Sequence, residues 1–519
     1  MKTATKTLLG IYCAIAVAAS EAPPLDKLKQ EAIARVEARA RLTQQIVDSL
    51  FSFAELGYQE FASSAYLTAL LEKEGFQVQR GVAGLPTAFV ASWGSGKPVI
   101  GLMADIDALP ETSQKPGVAY HDPLIPNGPG HGEGHNAGQA VNITAALAVK
   151  DLMQKYKIPG TLRVYPGIAE ELLGSRTYMV MAGLFRDVDV MLSSHISNEF
   201  TTTYGPSGSG LVSTRYSFHG RSAHAASAPW MGRSALDAVE LMDVGWNFRR
   251  EHLRPEQRSH YVIIHGGDQP NVVPPEATVW YFFREWDYDR IRELHEIGTR
   301  IATAAAMMTD TAMTERVLAG TWPGHFNKPI AEALYANIQR VGMPQWSEAD
   351  EALARAAQSE LKAQVVGLRK EISELKGAEE RRGSAGSDDI AEVSWNLPTV
   401  VLSYPGNIPG MIGHHWSSAI SMATPIAHKG AIAGAKAHAM TALDLLLRPG
   451  LLDEARTYFA QQTKQIKWKP LIPEGTKPPI ELNRDKMERF LPQLKPLYYD
   501  PNRYNTYLEQ LGIQYPTLK

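Results

Sequence analysis

Three apolar segments of this chain each run into residues that could handle a metal ion or a proton. Val99-Ile100-Gly101-Leu102-Met103-Ala104 leads into Asp105-Ile106-Asp107, and Val188-Asp189-Val190-Met191-Leu192-Ser193-Ser194 leads into His195. A third ends at Gly167-Ile168-Ala169 and is followed by the adjacent pair Glu170 and Glu171. Between them lies a glycine-rich loop, Gly130-His131-Gly132-Glu133-Gly134-His135. Ligands of open α/β sheets bind outside the carboxyl ends of the strands, so acids and histidines collected there are what a hydrolytic metal site requires.

Zinc and manganese are held by imidazole nitrogen and carboxylate oxygen. Glu133 and His135 stand two apart, with glycines that let the backbone approach closely and take unusual dihedrals. From an extended backbone, Glu170 and Glu171 point opposite ways, so one can ligate an ion while the other reaches a water. That division is the logic of metal-assisted hydrolysis, in which the ion acidifies the water and a carboxylate takes its proton. Singly each signal is weak. A Glu-Glu pair reads equally as a solvated helix start, His195 as a core or surface histidine, and the loop as a turn. The weight lies in three strand ends offering ligand-type side chains together.

The elements that would position these residues follow from periodicity. Residues 28–75 have helical spacing, and short apolar strands then alternate with helices to about residue 195. Residues 137–152 read as a buried helix with Asn136 as its cap. Such alternation predicts an α/β sandwich with a mostly parallel sheet. Residues 206–320 change character. Strand-like 211–219, helical 229–253, strand-like 260–265 and 277–284, helical 288–308 and strand-like 313–318 give β-α-β-β-α-β, a ferredoxin-like arrangement. We expect an inserted dimerisation and lid domain at 206–320, hinged near Pro206 and Gly320. The metal-binding catalytic domain would then be 21–205 with 321–450. Residues 347–376 read as a charged amphipathic helix with Ser347 and Asp350 at capping-box spacing, 399–403 as a returning strand, and 425–447 as a long Ala-rich helix. The C-terminal tail, 451–519, is expected to wrap the surface and carries no assigned chemistry.

The chain has 519 residues, a formal net charge of −3, 44% hydrophobic and 21% charged residues. This describes a globular protein of two or three domains, and without a basic run it argues against a nucleic-acid partner. Lys2 and Lys6, an apolar run at 8–19 and small residues around Ala18 read as a cleavable signal peptide over 1–20. The run is short of the roughly 20 residues needed to span a bilayer, so no stable membrane insertion is expected after cleavage. Cys13, the one cysteine, lies within it. Export without disulfides fits a periplasmic or secreted protein.

The chain resembles the metallo-amidohydrolases of the aminoacylase and carboxypeptidase G type, M-class peptidase family twenty, over about residues 28–447. The resemblance rests on Ala104-Asp105-Ile106-Asp107-Ala108-Leu109-Pro110, Gly130-His131-Gly132-Glu133-Gly134-His135-Asn136, Ala169-Glu170-Glu171 and His219-Gly220-Arg221-Ser222-Ala223-His224. Further marks are Asn271-Val272-Val273-Pro274, Gly386-Ser387-Asp388-Asp389 and Ala427-His428-Lys429-Gly430. It implies two divalent ions, Zn or Mn, held by Glu133, His135, Glu171, His195 and His414, the last from Gly413-His414-His415-Trp416 with His415 as its alternative. It implies Glu170 as general base, Asp105 orienting a ligand histidine, and His224 stabilising the oxyanion in the active site of a partner copy. Asn271 and Arg284 would hold the substrate carboxylate. Two positions depart from the family pattern. Glu133 stands where the amidohydrolase branch usually has cysteine, which would favour manganese, and Met103 stands where relatives often have arginine. The implied reaction is hydrolysis of an N-acyl or N-aroyl amino acid, p-aminobenzoyl-glutamate being the nearest named candidate, by a homodimer with a possible second subunit of a different kind. The alternatives are a dipeptidase or carboxypeptidase on the same site, or a non-catalytic binding protein of this fold.

Overall fold

The computed structural model describes residues 23–375, 377 and 386–519. The expected signal peptide and Cys13 lie outside the described residues. The strands, in chain order, are β1 Gln77–Arg80, β2 Phe89–Ser95, β3 Val99–Asp105, β4 Gly160–Gly167, β5 Val190–Ser197, β6 Thr201–Thr202, β7 Gly205–Ser207, β8 Gly210–His219, β9 Arg258–His265, β10 Glu276–Glu285, β11 Ala312–Thr321, β12 Gly324–Phe326 and β13 Thr399–Pro405.

Seven of them form one sheet in the order β1-β2-β4-β3-β5-β13-β6. The central four, β4, β3, β5 and β13, are parallel, and the flanking pairs are antiparallel. Every residue of β3 is buried, which is why it reads as an unbroken apolar run rather than an alternating one. Helices Gly138–Tyr156 and Pro425–Leu447 pack against each other beside this sheet. The latter is rich in Ala and Gly, and small side chains let the backbones approach. Parallel pairing brings the carboxyl ends of β3, β4, β5 and β13 to one edge, and the site is built there.

The second sheet has the order β11-β8-β10-β9 and is antiparallel throughout. Helices Ala235–Arg250 and Tyr288–Thr309 cover one face with a core of their own around Trp246, Tyr281 and Phe283. Order and connection together are the ferredoxin-like arrangement. The two chain crossings between the sheets pair with each other, β7 against β12, with Pro206 opposite His325.

Three local expectations are corrected. Asn136 does not cap its helix. That helix begins at Gly138 after a short turn at His135–Ala137, while the Asn136 amide donates to the carbonyls of Val47 and Met422. The amphipathic helix after Ser347 has the expected capping box but stops at Glu360. The tail does not merely wrap the surface. Met487, Phe490 and Leu494 of helix Arg484–Leu494 are buried against Ala54, Leu56, Ala108 and Ile125, and Tyr507 is wholly buried. Among the described residues no helix is long and apolar enough to cross a membrane.

Candidate metal centre and active-site cleft

The glycine-rich loop turns through Gly134 at φ 101°, a left-handed conformation that L side chains rarely adopt. A Cβ there would also meet Met422 Sδ at 2.5 Å. The turn aims Glu133 and His135 inward. His131 goes elsewhere: buried, and held to the Leu50 carbonyl at 3.0 Å, its imidazole is pushed down to about 3 by burial and stays neutral.

Glu170 and Glu171 do not lie on extended backbone. They occupy a single 3-10 turn between two left-handed residues, Ala169 (φ 48°) and Leu173 (φ 53°). The turn lets both carboxylates reach the same cluster from different sides. Glu170 Oε2 lies 3.8 Å from His135 Nε2, and Glu171 Oε1 lies 3.8 Å from His135 Nδ1. Glu133 bridges outward, Oε1 at 3.6 Å from His195 Nε2 and Oε2 at 2.7 Å from His414 Nε2. His414 Nε2 is also 3.5 Å from Glu171 Oε2. Of the two neighbouring histidines, it is therefore His414 that joins the cluster. His415 instead caps a short helix, its Nδ1 against the Ser417 hydroxyl at 2.9 Å.

Donor atoms of Glu133, His135 and His195, and again of Glu133, Glu171 and His414, lie within 4.8 Å of one another. Two further observations fit a cation. The buried His135 Nε2 has no hydrogen-bond partner. His195 Nδ1 lies 2.9 Å from the Ile196 carbonyl, so donation there leaves the Nε2 lone pair facing Glu133. Mixed imidazole and carboxylate donors of this kind suit zinc or manganese.

The electrostatics say the same. Burial pushes Glu170 well above the usual carboxylate range, and the charges of Asp388, Asp105 and Glu171 push it further. Burial also raises Glu171, opposed by His135 and reinforced by Glu133 and Asp107. For His135, burial works against the charged form but the hydrogen bond to Asp107 and the charges of Glu171 and Asp105 outweigh it and hold it well up. Glu133 is lowered because its bond to His414 and the neighbouring histidines overcome its burial. So many carboxylates at such short range repel one another unless positive charge stands among them.

One assignment is corrected. The carboxylate that orients His135 is Asp107, not Asp105. Asp107 Oδ1 lies 3.3 Å from His135 Nδ1, and Oδ2 accepts the Glu171 N–H at 3.1 Å. Asp105 is instead paired with Arg176, a wholly buried guanidinium that also holds Asp389 and, at 3.1 Å, Asp388. Arg176 Nε points at Met103 Sδ, 3.0 Å away, so the soft side chain at that position packs against a cation rather than an ion site. Sequence reasoning assigns no role to Arg176, Asp388 or Asp389. The last two are visible in the sequence only as part of the Gly386-Ser387-Asp388-Asp389 motif.

The cluster opens into a cleft of about 420 Å³ lined by Glu133, Glu170, Glu171, His195, Arg284 and His414, among others. Arg284 donates to Ser387 Oγ at 2.8 Å and keeps its buried Nε–H without a partner. The structure separates it from the other two residues expected from the inserted region. His224 and Asn271 sit together at an exposed loop, where Ala225 N–H donates to the Asn271 carbonyl at 3.0 Å, and neither lines this cleft.

A model of peptidase family M20/M25/M40 matches residues 101–425. The chain is 34% identical over 467 residues to one of the subunits of p-aminobenzoyl-glutamate hydrolase from Escherichia coli, covering 85% of this chain and 97% of that protein. It is 27% identical over 454 residues to the Xaa-Arg dipeptidase of Mus musculus, covering 85% and 94% respectively. Among solved structures it shares the fold of a dinuclear metal-binding peptidase of the M20 family from Bacillus subtilis, with a TM-score of 0.50 at 17% identity, covering 79% of this chain and 99% of that one.

Proposed function

The chain belongs to peptidase family M20/M25/M40 and is a metal-dependent amidohydrolase; from that premise we propose that it cleaves the amide bond of an N-acyl or N-aroyl amino acid bearing a free carboxylate. The observation that carries this is the placement of Glu170 beside His135, with Arg284 lining the same cleft. The Escherichia coli relative makes p-aminobenzoyl-glutamate the first substrate to try.

Glu133, His135, Glu171, His195 and His414 would hold two divalent ions, zinc or manganese. Bound there, the ions would polarise the scissile carbonyl and make a water easier to deprotonate. The remaining steps fall to this chain's own groups. Glu170 takes a proton from the water as its oxygen bonds to the carbonyl carbon. The C–N bond then breaks and Glu170 gives the proton to the leaving nitrogen, so the products are a carboxylic acid and an amino acid. Burial and the charges of Asp388, Asp105 and Glu171 favour the protonated form of Glu170, and the positive charge of bound ions would draw it back towards the ionised form that accepts a proton. Arg284, steadied by Ser387, offers a planar fork to the substrate carboxylate.

The oligomer we propose is a homodimer in which His224 and Asn271 serve the partner's cleft. In support, neither reaches its own cleft, β9 is an edge strand with Ile263 and Ile264 exposed, and helix Ala235–Arg250 exposes Val244 and Phe248. The Escherichia coli relative is named as one subunit of its enzyme, so a second and different subunit is to be added if this protein alone is silent. Export is proposed on the residue 1–20 segment, with a mature chain beginning near Glu21.

The deciding assay is glutamate release from p-aminobenzoyl-glutamate by metal-loaded protein, with and without chelator, beside Glu170→Gln. Chelator-sensitive release that Glu170→Gln lacks while keeping its metal is expected. Equal release by Glu170→Gln would remove Glu170 as the base. Failure on this substrate, on a panel of N-acyl amino acids and on dipeptides, with and without a second subunit, would refute the substrate class.

A further inference from the structure

Strand β10 carries two chemistries on one face. Its alternate residues Ala277, Val279, Tyr281 and Phe283 are buried beneath the covering helices. Trp280, Phe282 and Arg284 therefore share the opposite face, which is turned to the catalytic sheet. Arg284 lines the cleft beside Glu170. Phe282 and Trp280, about 7 and 13 Å back along the strand at roughly 3.3 Å per residue, line a different hollow of about 280 Å³. Its walls are mostly apolar, formed by Leu56, Ala108, Leu172, Val262, Trp280 and Phe282, with His260 and Lys486 among the polar groups at its margin.

The two spaces adjoin. Glu171 lines both. The Arg284 guanidinium carbon lies 5.5 Å from the Phe282 ring centre, and the Phe282 and Trp280 rings are 5.9 Å apart at 74°. Trp280 is fixed in place: its Nε1–H donates to Ser213 Oγ at 2.8 Å, and Arg215 lies 4.6 Å from its ring. The C-terminal segment closes the hollow with Asn483 and Lys486, and Asn483 is tied to the Gly57 carbonyl at 3.1 Å. A tail without chemistry of its own thus completes a wall next to Glu171.

The geometry points to this hollow as the subsite for the acyl group, selecting an aromatic ring; the inference rests on the amidohydrolase reading above. A substrate with its carboxylate on Arg284 and its amide at Glu170 and Glu171 would carry its acyl group next to Glu171, the residue that borders the hollow as well as the cleft. Size admits a ring, since an engineered apolar cavity of about 150 Å³ already holds benzene. The tilted Phe282–Trp280 pair offers a ring both edge and face contacts, which an acetyl group cannot use.

The test compares wild type, Trp280→Ala and Val262→Trp, all metal-loaded, for kcat/KM on N-benzoyl-glutamate and N-acetyl-glutamate. Binding of N-benzoyl-glutamate to the same three in a Glu170→Gln background is measured by calorimetry. The benzoyl-to-acetyl ratio should fall about tenfold in Trp280→Ala through loss of ring contact. Val262 is 56% exposed, so a larger side chain there fills the hollow without entering the fold's core. It should lower the same ratio chiefly through KM. Unchanged ratios in both variants overturn the subsite while leaving the reaction intact. If wild type turns over neither compound but binds the benzoyl ligand in a Trp280-dependent way, the subsite stands and the reaction assigned above falls. If it neither turns over nor binds the benzoyl ligand, the subsite falls.

Discussion

Asp105 and Asp107 are two residues apart on one strand end, and the structure gives them different work, so exchanging each for asparagine should produce different losses. Asp107 is wholly buried and its two oxygens serve two partners, His135 Nδ1 at 3.3 Å and the Glu171 N–H at 3.1 Å. In Asp107→Asn, one of these donors must face an amide NH₂, and the negative charge behind His135 is gone. Removing such a partner from a metal-bound histidine typically costs about 10–100-fold in metal affinity, or roughly 1.4–2.8 kcal/mol. Asp105 serves Arg176, which is wholly buried. Breaking a buried ion pair by removing one side costs about 3–5 kcal/mol. Asp388 and Asp389 remain around Arg176, so Asp105→Asn should fall near or below the lower end of that range. Competition against a chromophoric chelator, together with denaturant unfolding of the metal-free protein, separates the two. Asp107→Asn should weaken metal binding strongly and lower the unfolding midpoint less than Asp105→Asn does, and Asp105→Asn should lower the midpoint with little change in metal binding. Equal weakening of metal binding by both would refute the assignment of Asp107 as the orienting group.

If His224 acts in the partner's cleft, a verified mixed dimer of His224→Ala and Glu170→Gln chains should recover one working site, up to about half the activity of the wild-type dimer. No recovery would place His224 in its own subunit's chemistry, whereas a His224→Ala homodimer as active as wild type would remove it from the chemistry altogether. Glu392 is wholly buried, accepting from Trp322 N–H at 2.7 Å and Trp468 Nε1–H at 2.8 Å, and burial pushes it up to about 8. Because its folded value lies above its unfolded value of 4.5, the native state binds the extra proton between those two pH values, and stability falls as pH rises through that window. Glu392→Gln should flatten the fall in stability between about pH 5 and 8 by a few kcal/mol. Parallel curves for the two proteins would remove Glu392 as a source. Export predicts that intact mass of protein recovered from a periplasmic host fraction begins near Glu21, whereas an unprocessed start at Met1 would contradict it.

The parts of the site that are legible in the sequence are those where one strand carries the information. In a parallel sheet, strands are buried on both faces, so β3 and β5 read as apolar runs and their ends announce Asp105, Asp107 and His195. The even alternation of β10 likewise determines which face Arg284 takes, though the apolar run around it conceals that Trp280 and Phe282 share that face. What is not legible depends on residues far apart in the chain. Period-two geometry puts Asp105 and Asp107 on the same side, and only Arg176, arriving 71 residues after Asp105, decides between them. Nothing in Ala169-Glu170-Glu171-Leu172-Leu173 signals two left-handed residues, because neither is glycine or asparagine, so the sequence alone presents the pair as extended. His414 likewise adopts φ 56° and meets Glu133 while His415 takes the cap, and nothing in the adjacent pair of histidines tells the two apart. The tail misleads for a related reason. Its Pro, Lys and Tyr content reads as surface, yet Met487, Phe490 and Leu494 stand at helical spacing and find a partner face on residues more than 350 positions earlier. Composition reports what a segment can expose, whereas burial here depends on a surface that only the folded body presents. The wall that Asn483 and Lys486 add beside Glu171 therefore follows from docking of the tail, and its chemistry is set by the body it docks on.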